Sequence, residues 1–203
     1  MKYSQNNEEK RILDYFGNFK GTFLDLGAND GKTLSNTFAL AELGWKGVSV
    51  EPSEETFIKA VINYEGLKVD SYNVAIGTET KKMTFWESGS HLRKGDTSLL
   101  STIVKSEIKR WKGTEEFTET ETDVMSWADF YKSCRVKHFD FISIDCEGMD
   151  VEILKQMDLR KMKTKLLCIE WNRNHDVRKQ IEKLITPAKL IHENAENLIY
   201  EIN

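Results

Sequence analysis

The stretch Phe23-Leu24-Asp25-Leu26-Gly27-Ala28-Asn29-Asp30-Gly31 constrains this chain more than any other. It starts as an apolar strand, turns through two glycines and enters an amphipathic segment. Twenty residues beyond Gly31, a second short strand, 48–51, ends in Glu51. Strand, glycine turn, helix, strand and acid, in that order, are the first half of an open α/β sheet. Such sheets bind ligands in the crevice at the carboxyl ends of their strands.

The turn also discriminates between ligands. A dinucleotide needs G-x-G-x-x-G, so that bare backbone can approach the pyrophosphate. Here Ala28, Asn29 and Asp30 separate Gly27 from Gly31, and the middle glycine is missing. Asp25 and Asp30 flank the turn and would repel a pyrophosphate, which disfavours a nicotinamide oxidoreductase. S-adenosylmethionine (SAM) has no phosphate and is net positive through its sulfonium and ammonium groups, so an acidic turn suits it. The expected cofactor contacts begin with Asp25, Gly27, Ala28, Asn29, Asp30 and Gly31. Asn36 adds a polar group from the first turns of the following helix. Glu51 would accept both ribose hydroxyls, with Pro52 ending its strand. Asn73 would meet the edge of the adenine, and Ala75 would leave room for its face.

Length and charge narrow the class. A single domain of 203 residues can bury roughly 70% of its unfolded surface. The net charge is −4 with acids and bases interspersed; no basic stripe appears, which argues against nucleic acid as the main partner. No apolar run approaches the roughly 20 residues of a membrane span. The first ten residues lack the apolar core of a secretory signal. Cys134, Cys146 and Cys168 are widely spaced, with no C-x-x-C. They read as reduced thiols of a cytoplasmic protein.

Periodicity lays out the rest. Helices are expected over 4–16, 32–43, 53–64, 126–131, 149–157 and 176–185, and strands over 21–26, 47–51, 67–74, 139–145 and 166–170. The end, 188–192 and 197–202, reads as an antiparallel hairpin. Between 78 and 124 the βα rhythm breaks. This segment contains a strand at 82–86, a polar loop at 88–98, a short helix at 102–111 and a solvent-edged strand at 115–122. It is read as an insertion forming a lid and substrate wall over the strand ends. His91, Arg93, Lys94 and Asp96 are its polar candidates. No linker or second domain is visible.

Taken together, Asp25-Leu-Gly27-Ala-Asn29-Asp30-Gly31, Ser35-Asn36-Thr37, Gly44-Trp45-Lys46-Gly47, Glu51-Pro52 and Asp140-Phe-Ile-Ser-Ile-Asp145-Cys-Glu147-Gly148 resemble the FkbM family of SAM-dependent methyltransferases. The resemblance implies a Rossmann-like class I methyltransferase fold. Its features are a seven-stranded, mostly parallel sheet, a terminal antiparallel hairpin and helices on both faces. It also implies methylation of a hydroxyl oxygen on a sugar or polyketide-like molecule. Ser143 and Cys146 depart from the family's usual Lys and Val beside the presumed site.

Methyl transfer to a hydroxyl needs positioning, desolvation and removal of a proton. Asp145 and Glu147, at the end of the fourth parallel strand, are the best-placed carboxylates. Asp145 is assigned to the methyl-bearing end of the cofactor and Glu147 to the role of general base. His175, whose unshifted pKa lies nearest neutrality, is the second candidate base. Asp145, Glu147, Glu170 and Asn172 are oxygen donors of a kind that suits Mg²⁺. Solvated or hydrogen-bonded carboxylates without a metal are nevertheless the favoured reading. The expected activity is O-methylation of a sugar, a glycan or another small hydroxylated molecule. The alternative is a binding or scaffolding domain that keeps the fold without catalysis.

Overall fold

The computed structural model describes residues 3–94 and 96–203. Its centre is β1 (Thr22–Leu26), flanked by two parallel neighbours, β2 (Lys46–Val50) and β7 (Phe141–Ile144). β3 (Lys68–Tyr72) extends the sheet beyond β2, and β8 (Leu166–Glu170) extends it beyond β7. β10 (Asn197–Ile202) then adds antiparallel to β8, and β9 (Ala188–Glu193) pairs with β10. The sheet thus has seven strands in the order β3-β2-β1-β7-β8-β10-β9. Chain direction across the sheet switches between β1 and β7, the place where such sheets open a crevice.

The central strands are apolar on both faces because both faces are covered. Alternate residues divide between two cores. Phe23, Phe141, Leu166 and Cys168 pack with α1 (Glu8–Phe16), α2 (Phe38–Glu42) and α3 (Glu54–Asn63). Leu24, Leu26, Ile142 and Ile144 pack with α4 (Trp127–Ser133), α5 (Asp150–Leu154) and α6 (His175–Ile185). Trp45 is 1% exposed and meets Phe16 edge-on at 4.8 Å between ring centroids. Burying a ring of that size supplies more than the ~1.5–3 kcal/mol of an average apolar side chain. At the far end of the sheet, Asp140 accepts from the Thr22 amide at 3.0 Å and pairs with Lys165 at 2.8 Å, tying β1 to the start of β8. His138 joins this pair at 3.2 Å, away from the crevice.

Several expected boundaries shift. The helix read over 32–43 is only α2; residues 32–37 form an irregular turn in which Leu34 has φ 55° and bridges to Ser4. The hydroxyl of Ser35 accepts from the amides of Thr37 (3.2 Å) and Phe38 (3.0 Å), so Ser35-Asn36-Thr37 precedes the helix instead of forming its first turns. Ser4 accepts from the amide of Glu9 at 3.0 Å, four residues ahead of the helix it was expected to begin. The segment read as an insertion over 78–124 joins residues 75–77 in a second sheet. β4 (Ala75–Gly77) and β5 (Lys81–Ser88) flank β6 (Phe117–Ser126) in the order β4-β6-β5. The segment read as a helix over 102–111 is a 3₁₀ turn at Glu107–Trp111.

Candidate functional site

The carboxyl ends of β1, β2, β7 and β8 open into one cavity of about 320 Å³. Its roof comes from the second sheet and the loops that follow it, and one side comes from the N-terminal segment.

The glycine turn is held rigidly. Gly27 and Ala28 both donate to the Val50 carbonyl at 3.0 Å, which locks the turn against β2. Gly27 has φ 83°, and a Cβ there would lie 1.7 Å from the Asp145 carbonyl oxygen. Only glycine lets β1 and β7 converge at that point. Asp25 lies under the turn, 5% exposed, and accepts from the Thr37 hydroxyl at 2.6 Å. Burial pushes its carboxyl up to about 6 against that hydrogen bond.

Glu51 is 5% exposed, yet its carboxylate is fully oriented. One oxygen accepts from the Asn29 amide at 2.9 Å and the other from the Ser53 amide at 2.8 Å. Burial pushes it up to about 7, although both backbone bonds pull the other way. Asn29, at φ 49°, also reaches across the cavity mouth, and its side-chain amide donates to the Thr97 carbonyl at 2.9 Å.

The opposite wall is more acidic. Asp145, Glu147 and Glu170 each offer a carboxylate oxygen within 4.8 Å of the other two. With all three ionised, each pair would repel by about 3–4 kcal/mol at an effective dielectric near 20. All three are pushed up, first by burial; Asp150 and Asp25 add to it at Asp145, and Asp145 adds to it at Glu147 and Glu170. Glu147 is 7% exposed, has φ 44°, and its Oε2 has no hydrogen-bond partner among the described residues. Asp150 fixes the loop by accepting from the amides of Cys146 (2.8 Å) and Gly148 (3.1 Å). Thr102, from the insertion, donates to the Glu147 carbonyl at 2.8 Å. Asn172, at φ 49°, donates its amide to Glu170. Glu147 and Glu170 are buried and Asp145 is half-buried.

The cavity therefore gathers most of the residues expected from the sequence. Asp25, Gly27, Ala28 and Asn29 line it from the turn, and Asn36, Glu51, Pro52 and Ala75 line it farther on. Asp145 and Glu147 face them across the cavity. Four expected residues do not line it. Asp30 turns back on its own loop and accepts from the amides of Lys32 (2.8 Å) and Thr33 (2.6 Å). Gly31 lies behind it, its carbonyl taking the Tyr64 hydroxyl at 3.1 Å. Asn73 spends its amide on the carbonyls of Glu51 (2.9 Å) and Pro52 (3.0 Å). His175 is exposed at the start of α6, edge-on to Trp171 at 5.6 Å. It stands outside the lining of the cavity that holds the carboxylates.

Of the four polar residues singled out in the insertion, only His91 lines the cavity. Its Nδ1 lies 2.7 Å from Glu115. Asp96 instead organises its loop. Burial raises its carboxyl, but the amides of Leu92 and Lys94 and the Ser90 hydroxyl outweigh this and bring it to about 2. Arg93 and Lys94 are exposed.

The sequence reading missed other lining residues. Glu8 is fully buried and accepts from the side-chain amides of Asn194 (2.6 Å) and Asn197 (3.1 Å). Glu196 accepts from Asn6 at 2.6 Å. Arg110 and Trp111 descend from the 3₁₀ turn. Among the lining residues the basic side chains are Arg110 and His91, against seven carboxylates. None of these residues belongs to a local motif; only an odd charge density in polar loops could have signalled them.

The Methyltransferase FkbM domain pattern matches residues 25–197. The chain belongs to the FkbM methyltransferase domain family. No curated protein matches the sequence. Solved structures share the fold of this FkbM domain at low identity. The T. Thermophilus 16S rRNA N2 G1207 methyltransferase RsmC, in complex with AdoMet and guanosine, is 11% identical with a TM-score of 0.54, over 97% of this chain and 42% of that one. The METTL16 MTase domain is 12% identical with a TM-score of 0.52, over 97% of this chain and 66% of that one. Monomeric WbdD is 11% identical with a TM-score of 0.50, over 98% of this chain and 41% of that one. The FkbM domain thus spans about two fifths of the RsmC and WbdD chains. Among the described residues no helix is long and apolar enough to cross a membrane.

Proposed function

We propose that the chain is a SAM-dependent methyltransferase that methylates a hydroxyl oxygen of a small molecule or glycan. The observation that carries this reading is Glu51. It is a buried carboxylate at the end of β2, oriented by two backbone amides and lining an acid-rich cavity. The donor set fits SAM. Lysine and arginine are absent from the turn at 27–31, where a phosphate would need them, and the acids favour a cation.

Bound SAM supplies an electrophilic methyl group on a positively charged sulfur. Glu51 would accept the ribose hydroxyls, Pro52 and Ala75 would flank the adenine, and Asp145 would stand toward the methyl-bearing end. Glu147 would take the proton of the acceptor hydroxyl as that oxygen takes up the methyl group. A placed base contributes about 10²–10⁴-fold. The insertion, with Trp111 and Arg110, serves as acceptor wall and lid, keeping water from the reacting atoms. An acid-lined cavity favours neutral hydroxylated acceptors over a phosphate backbone, so nucleic acid is not the proposed substrate.

Calorimetric titration with SAM tests the reading. A folded chain that does not bind SAM sinks it, and binding without transfer to any hydroxylated acceptor favours a scaffolding domain. Glu147→Gln should lower turnover about 10²–10⁴-fold while leaving SAM affinity nearly unchanged. Surviving turnover would remove Glu147 from the chemistry.

A further inference from the structure

The carboxylates at the ends of β7 and β8 form a constellation that hydrogen bonding does not explain. Asp145, Glu147 and Glu170 bring one oxygen each within 4.8 Å of the others. No ion pair joins any of them to a basic side chain among the described residues; Arg110, the lining arginine, pairs with Glu107 at 3.4 Å. Beyond this spacing, Oε2 of the nine-tenths buried Glu147 has no hydrogen-bond partner among the described residues. Buried carboxylate oxygens are ordinarily satisfied by donors or by a metal. Neighbouring oxygens on an octahedral Mg²⁺ are about 3 Å apart, so three oxygens already within 4.8 Å of one another need draw in by only about 1 Å each to share one ion.

We infer that Asp145, Glu147 and Glu170 hold a divalent, oxygen-preferring cation of the Mg²⁺ or Mn²⁺ class. All-oxygen donors with no histidine or thiolate among them select hard ions over zinc. The Thr102 bond to the Glu147 carbonyl and the Asp150 bonds to the amides on either side of Glu147 fix the loop that presents this ligand. Asn172, turned onto Glu170, orients the ligand from β8. Three protein ligands leave about three positions of an octahedral ion for water or for acceptor oxygens. What the ion does rests on the methyl-transfer reading. A hydroxyl bound to it is more acidic, and its proton passes to the second oxygen of Glu147. That the ion binds rests on the carboxylates alone.

The test is titration of the full chain with Mn²⁺ in the absence of SAM, followed by loss of the free-ion electron paramagnetic resonance signal. One Mn²⁺ per chain is expected, weakened at least tenfold by Glu170→Gln and by Glu147→Gln. Glu79→Gln, on an exposed loop, should leave binding unchanged. Circular dichroism confirms that each variant is folded. A folded wild-type chain that leaves millimolar Mn²⁺ free overturns the proposal, as does binding that survives both site substitutions. SAM binding is measured on the same samples. Its absence beside intact Mn²⁺ binding would refute the cofactor reading and leave the ion site standing.

Discussion

At the scale of single residues, two positions in the crevice carry opposite burdens. Glu51 is kept as a buried acid whose folded-state pKa, about 7, lies above its ordinary value of 4.5. The folded chain therefore holds a proton that the unfolded chain has already released. The sign follows: this group's contribution to stability is present at low pH and is lost as pH rises between about 4.5 and 7. The loss approaches about 3 kcal/mol. Glu51→Gln should flatten that part of the melting-temperature profile and stabilise the ligand-free chain at pH 8. Calorimetry on the same variant should show SAM affinity lowered about 10–100-fold, because the amide offers one acceptor where the carboxylate offered two. Gly27 is constrained by space instead. Gly27→Ala sets a methyl group against the Asp145 carbonyl and should cost more than about 3 kcal/mol in urea unfolding. A smaller loss would mean that β1 and β7 separate easily.

At the scale of elements, the loop after β7 and the insertion are joined through Thr102, which donates to Glu147 and accepts from the Val104 amide at 2.9 Å. Thr102→Val keeps the shape and removes both bonds. It should cost about 1–3 kcal/mol and lower kcat more than it changes SAM affinity, with faster amide exchange over 98–104. Equal exchange in both proteins would contradict the coupling. The strands themselves were legible in the sequence, because β7 and β8 are apolar on both faces and β1 ends in glycine. The positions of Glu51 and Asp145 in the cavity were legible because both residues follow directly on strand ends. Asp30, Asn73 and His175 lie outside the cavity lining. A polar side chain beside a site can be taken up by its own turn, as Asp30 is by the Lys32 and Thr33 amides, or by a neighbouring ring, as His175 is by Trp171. Residue type and spacing do not distinguish these outcomes. The short α2 was illegible because the Ser35 hydroxyl takes the Thr37 and Phe38 amides, which a longer helix would have used.

At the scale of the whole molecule, the cavity is closed by segments from both ends of the chain. Glu8 accepts from Asn194 and Asn197 at the turn between β9 and β10, and Asn6 reaches Glu196. Glu8→Ala leaves both amides without their acceptor and should lower stability by about 2–3 kcal/mol, measured by urea denaturation. It should also loosen the wall shared with Glu196 and raise the apparent KM for the acceptor. An unchanged unfolding midpoint would show that the N-terminal segment docks by packing alone. No sequence motif announced this closure, since its parts lie some 190 residues apart.

The acid-rich lining has a consequence for the catalytic cycle. In the proposed reaction, methyl transfer removes the positive charge from the cofactor's sulfur. Asp25, Glu51 and Asp145 therefore surround a more cationic molecule before the reaction than after it. The same wall that draws the reactant in holds the spent cofactor less firmly.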